Sequence, residues 1–338
     1  MTRNDSGRWV WNYEATNNTG IIVGAASTSY YFGEYLDSMG KSSVIFFDNI
    51  NQPGGTYNSR EKTLYDAGRA FKDFSHPFCP TTAQCFLWVL GKFTSGAGIA
   101  DDAIEVLDTG YQFSLTIRNE QLGGTTEKIR QFIGCLCNRI EFTINRDTDL
   151  VVTPKFSYYG LEDQNDSSNV ILTTAPLQPG NDSTTVNVSG RYTRFVVTYD
   201  PDGTPAILNF VDSVVGVMEQ NDIRCTNQTT QTVNKHTFTP HEIVLMAVVE
   251  NESVWDDFKD RAQADYEIDL YKDDETNYIK IKLTNCRTKV YSEEADREGG
   301  YFASFFTLQG EVITVDTNYT QEEGTAETVA THFKGAVP

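Results

Sequence analysis

Long apolar runs are missing from this chain. The longest, Ile243 to Val249, is about a third of the ~20 residues needed to span a bilayer, so no membrane insertion is expected. Met1-Thr2-Arg3-Asn4-Asp5-Ser6 runs into Arg8-Trp9 without an apolar stretch, and no secretory leader is expected either. Basic residues are also scarce. Against 47 Asp and Glu stand 27 Lys and Arg, giving a formal charge of -20. A tight hold on nucleic acid needs Lys and Arg to displace counterions, so the composition argues against it. The acidity fits either a surface that DNA slides past or a plainly solvated exterior.

Cysteine is sparse for a chain of 338 residues: Cys79, Cys85, Cys135, Cys137, Cys225 and Cys286 are too few for a disulfide framework. Cys135 and Cys137 would share one strand face, a poor disulfide geometry, and no further ligands stand nearby for a metal pair. Folding in a reducing compartment is the simplest reading. The four histidines (His76, His236, His241, His332) show no metalloprotease spacing, and no phosphate loop, dinucleotide fingerprint or nucleophile elbow occurs. Asp101-Asp102 and Asp256-Asp257 are neighbours in sequence, so their carboxylates point apart, unlike an acid/base pair on a glycosidic bond. No catalytic residue, cofactor or metal is expected, and the chain is not read as an enzyme.

What is abundant is strand chemistry. Apolar residues make up 39% and aromatics 12% of the chain, with Tyr, Phe, Thr and Val filling most periodic stretches, as a pleated, half-buried surface favours. The mass of 37.9 kDa suits two domains. Short strands are predicted over Gly20–Ala25 and Ser42–Phe47, while Glu61–Phe74 is ambiguous. Thr82–Lys92 carries Ala83, Phe86, Leu87 and Leu90 at helical spacing behind Pro80, a favoured residue at a helix start. Pro240 followed by His241–Val249 reads as its counterpart, with a possible continuation from Asn251 through Trp255 and Phe258.

A pattern then occurs twice. Tyr111–Leu115 leads through a polar loop to Phe132-Ile133-Gly134-Cys135 and on to Lys155–Gly160. Tyr266–Leu270 leads likewise to Leu283-Thr284-Asn285-Cys286 and on to Ser304–Gly310. In the second hairpin Tyr266, Ile268 and Leu270 share a face, as do Ile279, Ile281 and Leu283. A four-residue loop of Asp274, Glu275, Thr276 and Asn277 predicts Leu270 opposite Ile281, Ile268 opposite Leu283, Tyr271 opposite Lys280, and Asp269 opposite Lys282. In the first hairpin Phe113, Leu115 and Ile117 face Ile133, Gln131 and Ile129. The loop there runs from Glu120 to Thr126 through Gln121, Gly123 and Gly124. Its polar face carries Gln112, Ser114, Thr116 and Arg118 against Lys128 and Arg130. Arg139–Asn145 alternates again through Ile140, Phe142 and Ile144. Asp200-Pro201-Asp202-Gly203 marks a turn between two strands within Arg191–Val215.

The division expected is 1–165 for a first domain, 166–185 for a Pro-, Asn- and Ser-rich linker, 186–316 for a second domain and 317–338 for a C-terminal arm. Asn-X-Ser/Thr sequons at Asn4, Asn17, Asn165, Asn181, Asn187, Asn227, Asn251 and Asn318 would accept sugars in an exported protein. Otherwise they reflect a Thr- and Ser-rich surface.

The order of helix, hairpin, Gly-Cys, alternating strand and aromatic-Gly resembles the tail tube (major tail) proteins of long-tailed viruses of bacteria and archaea, in the form with a duplicated domain. The run Glu127–Phe142 and the preceding Thr82–Lys92 with Leu90-Gly91 carry the resemblance over residues ~60–160, and ~235–316 follows it more weakly, with Asn285 in the place of glycine.

The resemblance implies a mainly β fold: two tandem β-sandwich or barrel domains, each with one short flanking helix and a long hairpin. It implies a structural subunit whose rings stack around a channel for double-stranded DNA in transit. A trimer with pseudo-sixfold symmetry is the expected ring, a hexamer the alternative, with other tail proteins at the tube ends. The place of such a subunit is the virion tail, after assembly in the host cytoplasm. On this reading Gln112, Ser114, Thr116, Arg118, Lys128, Arg130, Glu267, Asp269, Lys280 and Lys282 form the luminal or inter-subunit hairpin face. Glu120, Gln121, Gly123, Gly124 and Asp274 to Asn277 would make ring-to-ring contacts. A cell-surface or virion β-sandwich binding module, an adhesin or receptor-binding domain, is the other reading of the same pattern.

Overall fold

The computed structural model describes residues 7–14, 30–31, 44–45, 72–80, 83–94, 102–106, 114–123, 126–158, 160–163, 191–209, 211–223, 235–238, 242–247, 252–272, 278–295, 302–310 and 312–317. The first half of the chain gives β1 (Gly7–Tyr13), β2 (Tyr30–Tyr31), β3 (Val44–Ile45), β4 (Lys72–Ser75), α1 (Gln84–Leu90), β5 (Gly91–Thr94) and β6 (Asp102–Val106). It continues with β7 (Leu115–Gly123), β8 (Thr126–Asn145), β9 (Val151–Tyr158) and β10 (Gly160–Asp163). The second half gives β11 (Tyr192–Asp200), β12 (Ala206–Ile207), β13 (Val211–Ile223), β14 (Lys235–Phe238), β15 (Glu242–Ala247) and α2 (Glu252–Asp260). It ends with β16 (Ala264–Lys272), β17 (Tyr278–Ala295), β18 (Phe302–Gln309) and β19 (Val312–Thr317). The fold is mainly β and its strand pairs are antiparallel. No described helix is long and apolar enough to cross a membrane.

Three sheets organise all of these strands except β14, which pairs with the end of β13. A central sheet runs β3-β4-β9-β8-β13-β15-β18-β17, so strands of both halves share it through the β8–β13 pairing. A second sheet, β2-β1-β7-β8-β10, holds the first hairpin. A third, β12-β11-β16-β17-β19-β6-β5, holds the second hairpin and takes in β5 and β6 of the first half. The two long strands, β8 and β17, each belong to two sheets. Alternation carries through them and through β16: Ile140, Phe142 and Ile144 are fully buried, as are Ile268 and Leu270 of β16 and Ile279 and Ile281 of β17.

Helix α1 is buried on every side, which explains why its apolar residues crowd the whole circumference. Trp88 meets Trp11 edge-on at 5.1 Å, and Phe86 meets Phe142 at 5.7 Å. Each such buried Phe or Leu contributes on the order of 1.5–3 kcal/mol. The helix ends at Gly91, whose φ of 85° is the left-handed cap that glycine adopts without strain. Pro80 stands ahead of the helix rather than inside its first turn, because Ala83 takes the N-cap position.

The second predicted helix falls elsewhere. Glu242–Ala247 is a strand flanked on both sides by β13 and β18, and the helix is the stretch from Glu252 that includes Trp255 and Phe258. A short apolar run does not distinguish a helix from a doubly paired strand; here pairing on both edges wins. Leu161–Asp163, at the approach to the predicted linker, pairs as β10 with Phe132, Gln131 and Arg130. Asp200 does close a turn, accepting the Gly203 N–H at 2.6 Å. Gly20–Ala25, residues 166–185 and 318–338, and all eight sequon asparagines lie outside the described residues.

Candidate functional site

Both long strands bend at the same place. On β8, Leu115 pairs with Cys135 and Ile117 with Phe132, so two residues of β7 span three of β8. On β17, Ala264 pairs with Cys286 and Tyr266 with Leu283, again two against three. The residue before each cysteine is left-handed: Gly134 at φ 65°, Asn285 at φ 53°. Such β-bulges need a residue that tolerates positive φ, and asparagine is the common substitute for glycine. A carboxylate receives the amide at each bend: the Gly134 N–H donates to Glu14 Oε1 and the Asn285 N–H to Asp265 Oδ1, both at 2.8 Å.

The correspondence extends along the strands. Three residues after each cysteine, Asn138 and Lys289 are skipped by the partner strand. Two residues before each cysteine, Ile133 and Thr284 face the starts of β10 and β19. Ser157 and Gln309 each face the residue following the cysteine, which aligns Gly310 with Tyr158 rather than with Gly160. Cys135 and Cys286 are both buried, small core residues as their spacing implied, and burial pushes the Cys286 thiol up to about 12.

The two hairpins differ in what their polar faces do. In the second, Glu267, Asp269, Lys280 and Lys282 do come together. Lys280 Nζ lies 3.1 Å from Glu267 and 3.5 Å from Asp269, and Lys282 contacts Asp316. The pairing is displaced by two residues from the one expected: Leu270 faces Ile279, Ile268 faces Ile281, Asp269 faces Lys280 and Tyr271 faces Tyr278. A two-residue slip keeps every side chain on its face, so alternation alone does not fix it. Burial pushes the Asp269 carboxyl up. It acts on Glu267 in the same sense, but there the Lys280 ammonium outweighs it and holds the group below its usual range.

In the first hairpin the polar face expected to be luminal or inter-subunit is covered within the chain over Ser114, Thr116 and Arg118. Ser114, Thr116 and Arg118 are buried. The Ser114 hydroxyl donates to Glu14, and Thr116 Oγ1 donates to it at 2.8 Å. Glu14, just past β1, is itself fully buried, so an internal carboxylate takes the place of water over this face. The register also differs, because Gly123 pairs with Thr126 and the turn is tight. Glu120, Gln121 and Gly123 are therefore strand, not loop. Lys128 and Arg130 pair with Gln121 and Asn119 along β8. Gln112, Gly124, Asp274, Glu275, Thr276 and Asn277 lie outside the described residues.

The surface that sequence reading passed over is the face of the central sheet turned from the core. One row crosses six strands: Thr153, Glu141, Val217, Glu242, Gln309 and Arg287 are successive pairing partners. Two cations of this face are paired with carboxylates. Arg139 meets Glu141 at 2.5 Å and Glu219 across the β8–β13 junction at 3.9 Å, and Lys289 meets Glu242. Exposed pairs of this kind add little stability, ~0–1 kcal/mol each, but they leave few bare cations for a phosphate backbone. Arg139 and Glu141 alternate with Ile140 and Phe142, and that alternation was the available signal.

No family model matches the chain, and no curated protein matches it either. The shared central sheet, its half-exposed polar face and the two like bends are therefore the observations on which function is argued. Among the described residues no group of three or more His, Cys, Asp or Glu is placed to hold a metal.

Proposed function

We propose that this chain is a structural subunit of a viral tail tube, forming stacked rings around a channel through which double-stranded DNA passes. The observation that carries the reading is the β8–β13 pairing, which joins two similarly bent halves into one eight-stranded sheet. A head-to-tail junction of this kind repeats without limit until it closes, and closure removes the exposed strand edges that invite aggregation.

Size supports three copies. Eight strands closed on themselves make a barrel filled by its own side chains. Three copies supply about 24 strands, and at ~4.8 Å per strand the wall is ~115 Å around, or ~37 Å across before tilt widens it. That bore admits a duplex. The wall facing it would be the central-sheet face, where Arg139 and Lys289 are matched by Glu141, Glu219 and Glu242, so phosphates meet little net attraction.

Negative-stain microscopy of the purified chain, over a range of concentration and salt, is the test. Rings or tubes with a threefold or sixfold axis and an open bore are expected. A chain that stays monomeric throughout refutes the proposal.

A further inference from the structure

We infer that the strand junction inside the chain is repeated between chains: β3 of one copy adds to the outer edge of β17 in the next, with Val44 opposite Glu293 and Ile45 opposite Ser292. The inference rests on the ring reading above and gives it a register.

The register follows from the matched ladders. Cys135 corresponds to Cys286, and Ser157 and Gln309 both face the next residue along. Asp73 faces Ser157 and Glu242 faces Gln309, so β4 corresponds to β15, and Phe74 to Ile243. Val44 is the partner of Phe74, and Gly216 is the partner of Ile243. Val44 in β3 therefore holds the place of Gly216 in β13. Gly216 faces Phe142, seven residues after Cys135, and the seventh residue after Cys286 is Glu293.

The edge is available. Over Ser292–Ala295, β17 pairs with β18 on one side, and no other described strand pairs with it there; β3 likewise pairs only with β4 among the described strands. Three large apolar side chains are exposed among the described residues, and two of them belong to this corner: Val290 at 51% on β17 and Trp255 at 38% on α2. The Trp255 ring lies 5.0 Å from that of Tyr291. At the internal junction α1 packs against both β8 and β13. Helix α2 packs against β17 and presents Trp255 where a second strand would lie. A second copy of this chain is the occupant, because its β3 is the element that corresponds to β13.

Disulfide trapping tests it. In a Cys225→Ser background, the assembled protein carrying Ile45→Cys with Ser292→Cys is oxidised and run on a non-reducing gel. Covalent multimers that stop at a closed size are expected, while each single variant and the displaced pair Ile45→Cys with Thr288→Cys stay uncoupled. The displaced pair lies about 13 Å out of register, beyond the ~7 Å a disulfide bridges. Trp255→Ser, a surface change, should raise the concentration needed for assembly at least tenfold with the monomer's circular dichroism unchanged. Rings that form while only the displaced pair couples, or while neither pair does, overturn this junction and leave the tube reading standing. Coupling of the Ser292→Cys single variant to itself indicates a twofold contact and also overturns it. A protein that neither assembles nor couples sinks both.

Discussion

The Phe142 ring lies directly on Gly216: a Cβ added to this glycine would come within 1.9 Å of the ring's Cζ. The pair sits at the junction of the two halves, and the Phe142 ring also meets Phe86 in a T-shaped contact. Glycine is required here for space, since any side chain would displace a fully buried aromatic.

Gly216→Ala should therefore destabilise the chain by about 1–3 kcal/mol, the usual cost of overpacking. Urea denaturation reads this as a lower midpoint. Combining it with Phe142→Leu should recover part of the loss, and strict additivity in that double-mutant cycle would refute the contact.

The two bends make opposite demands on the same kind of substitution. Gly134→Ala places a Cβ at φ 65° and should cost about 1–2 kcal/mol. Asn285→Gly should be neutral or slightly stabilising, and Asn285→Val should be the most damaging of the three. Equal midpoints for all three variants would show that neither strand bends through a left-handed residue.

His76 stacks on Trp9 at 4.8 Å, and burial pushes its pKa down to about 4. Between pH 6.5 and 4 the unfolded chain takes up a proton there that the folded chain refuses. Stability is thus held above pH 6.5 and lost as pH falls through that window, by about 3 kcal/mol at most. His76→Phe keeps the stacking and removes the titration. Its stability should change less steeply between pH 6.5 and 4 than that of the parent chain; identical slopes would exclude His76 as the source.

Lys280 lies between Glu267 and Asp269, with Asp269 only 7% exposed. Lys280→Met leaves that buried carboxylate without its cation and should cost about 1–3 kcal/mol at neutral pH. Adding Asp269→Asn should restore part of it. Thermal melts of the two variants and the parent decide this, and Lys280→Met as stable as the parent would show the pair to be incidental.

Much of the fold is legible in the residues, and the reasons for the gaps are physical. Alternation named the buried face of the second hairpin, and helical spacing named α1, expected over Thr82–Lys92 and found over Gln84–Leu90. Alternation is blind to a slip of two, which is why Leu270 faces Ile279 and not Ile281. It also identified Ser114 and Thr116 as one polar face without revealing that Glu14, a hundred residues earlier, covers it. The neutralised face of the central sheet draws Arg139, Glu219, Glu242 and Lys289 from four strands. Which of them stand side by side is a property of pairing, and no single stretch of sequence holds it.

Because β13 reaches β8 within one polypeptide, every second seam of the proposed closed wall would be tethered and insensitive to dilution. A tether of this kind raises the local concentration of the two edges to the millimolar range. Dilution would then cut the wall only at alternate seams, and fragments of a dissociating ring would always hold an even number of sheet units.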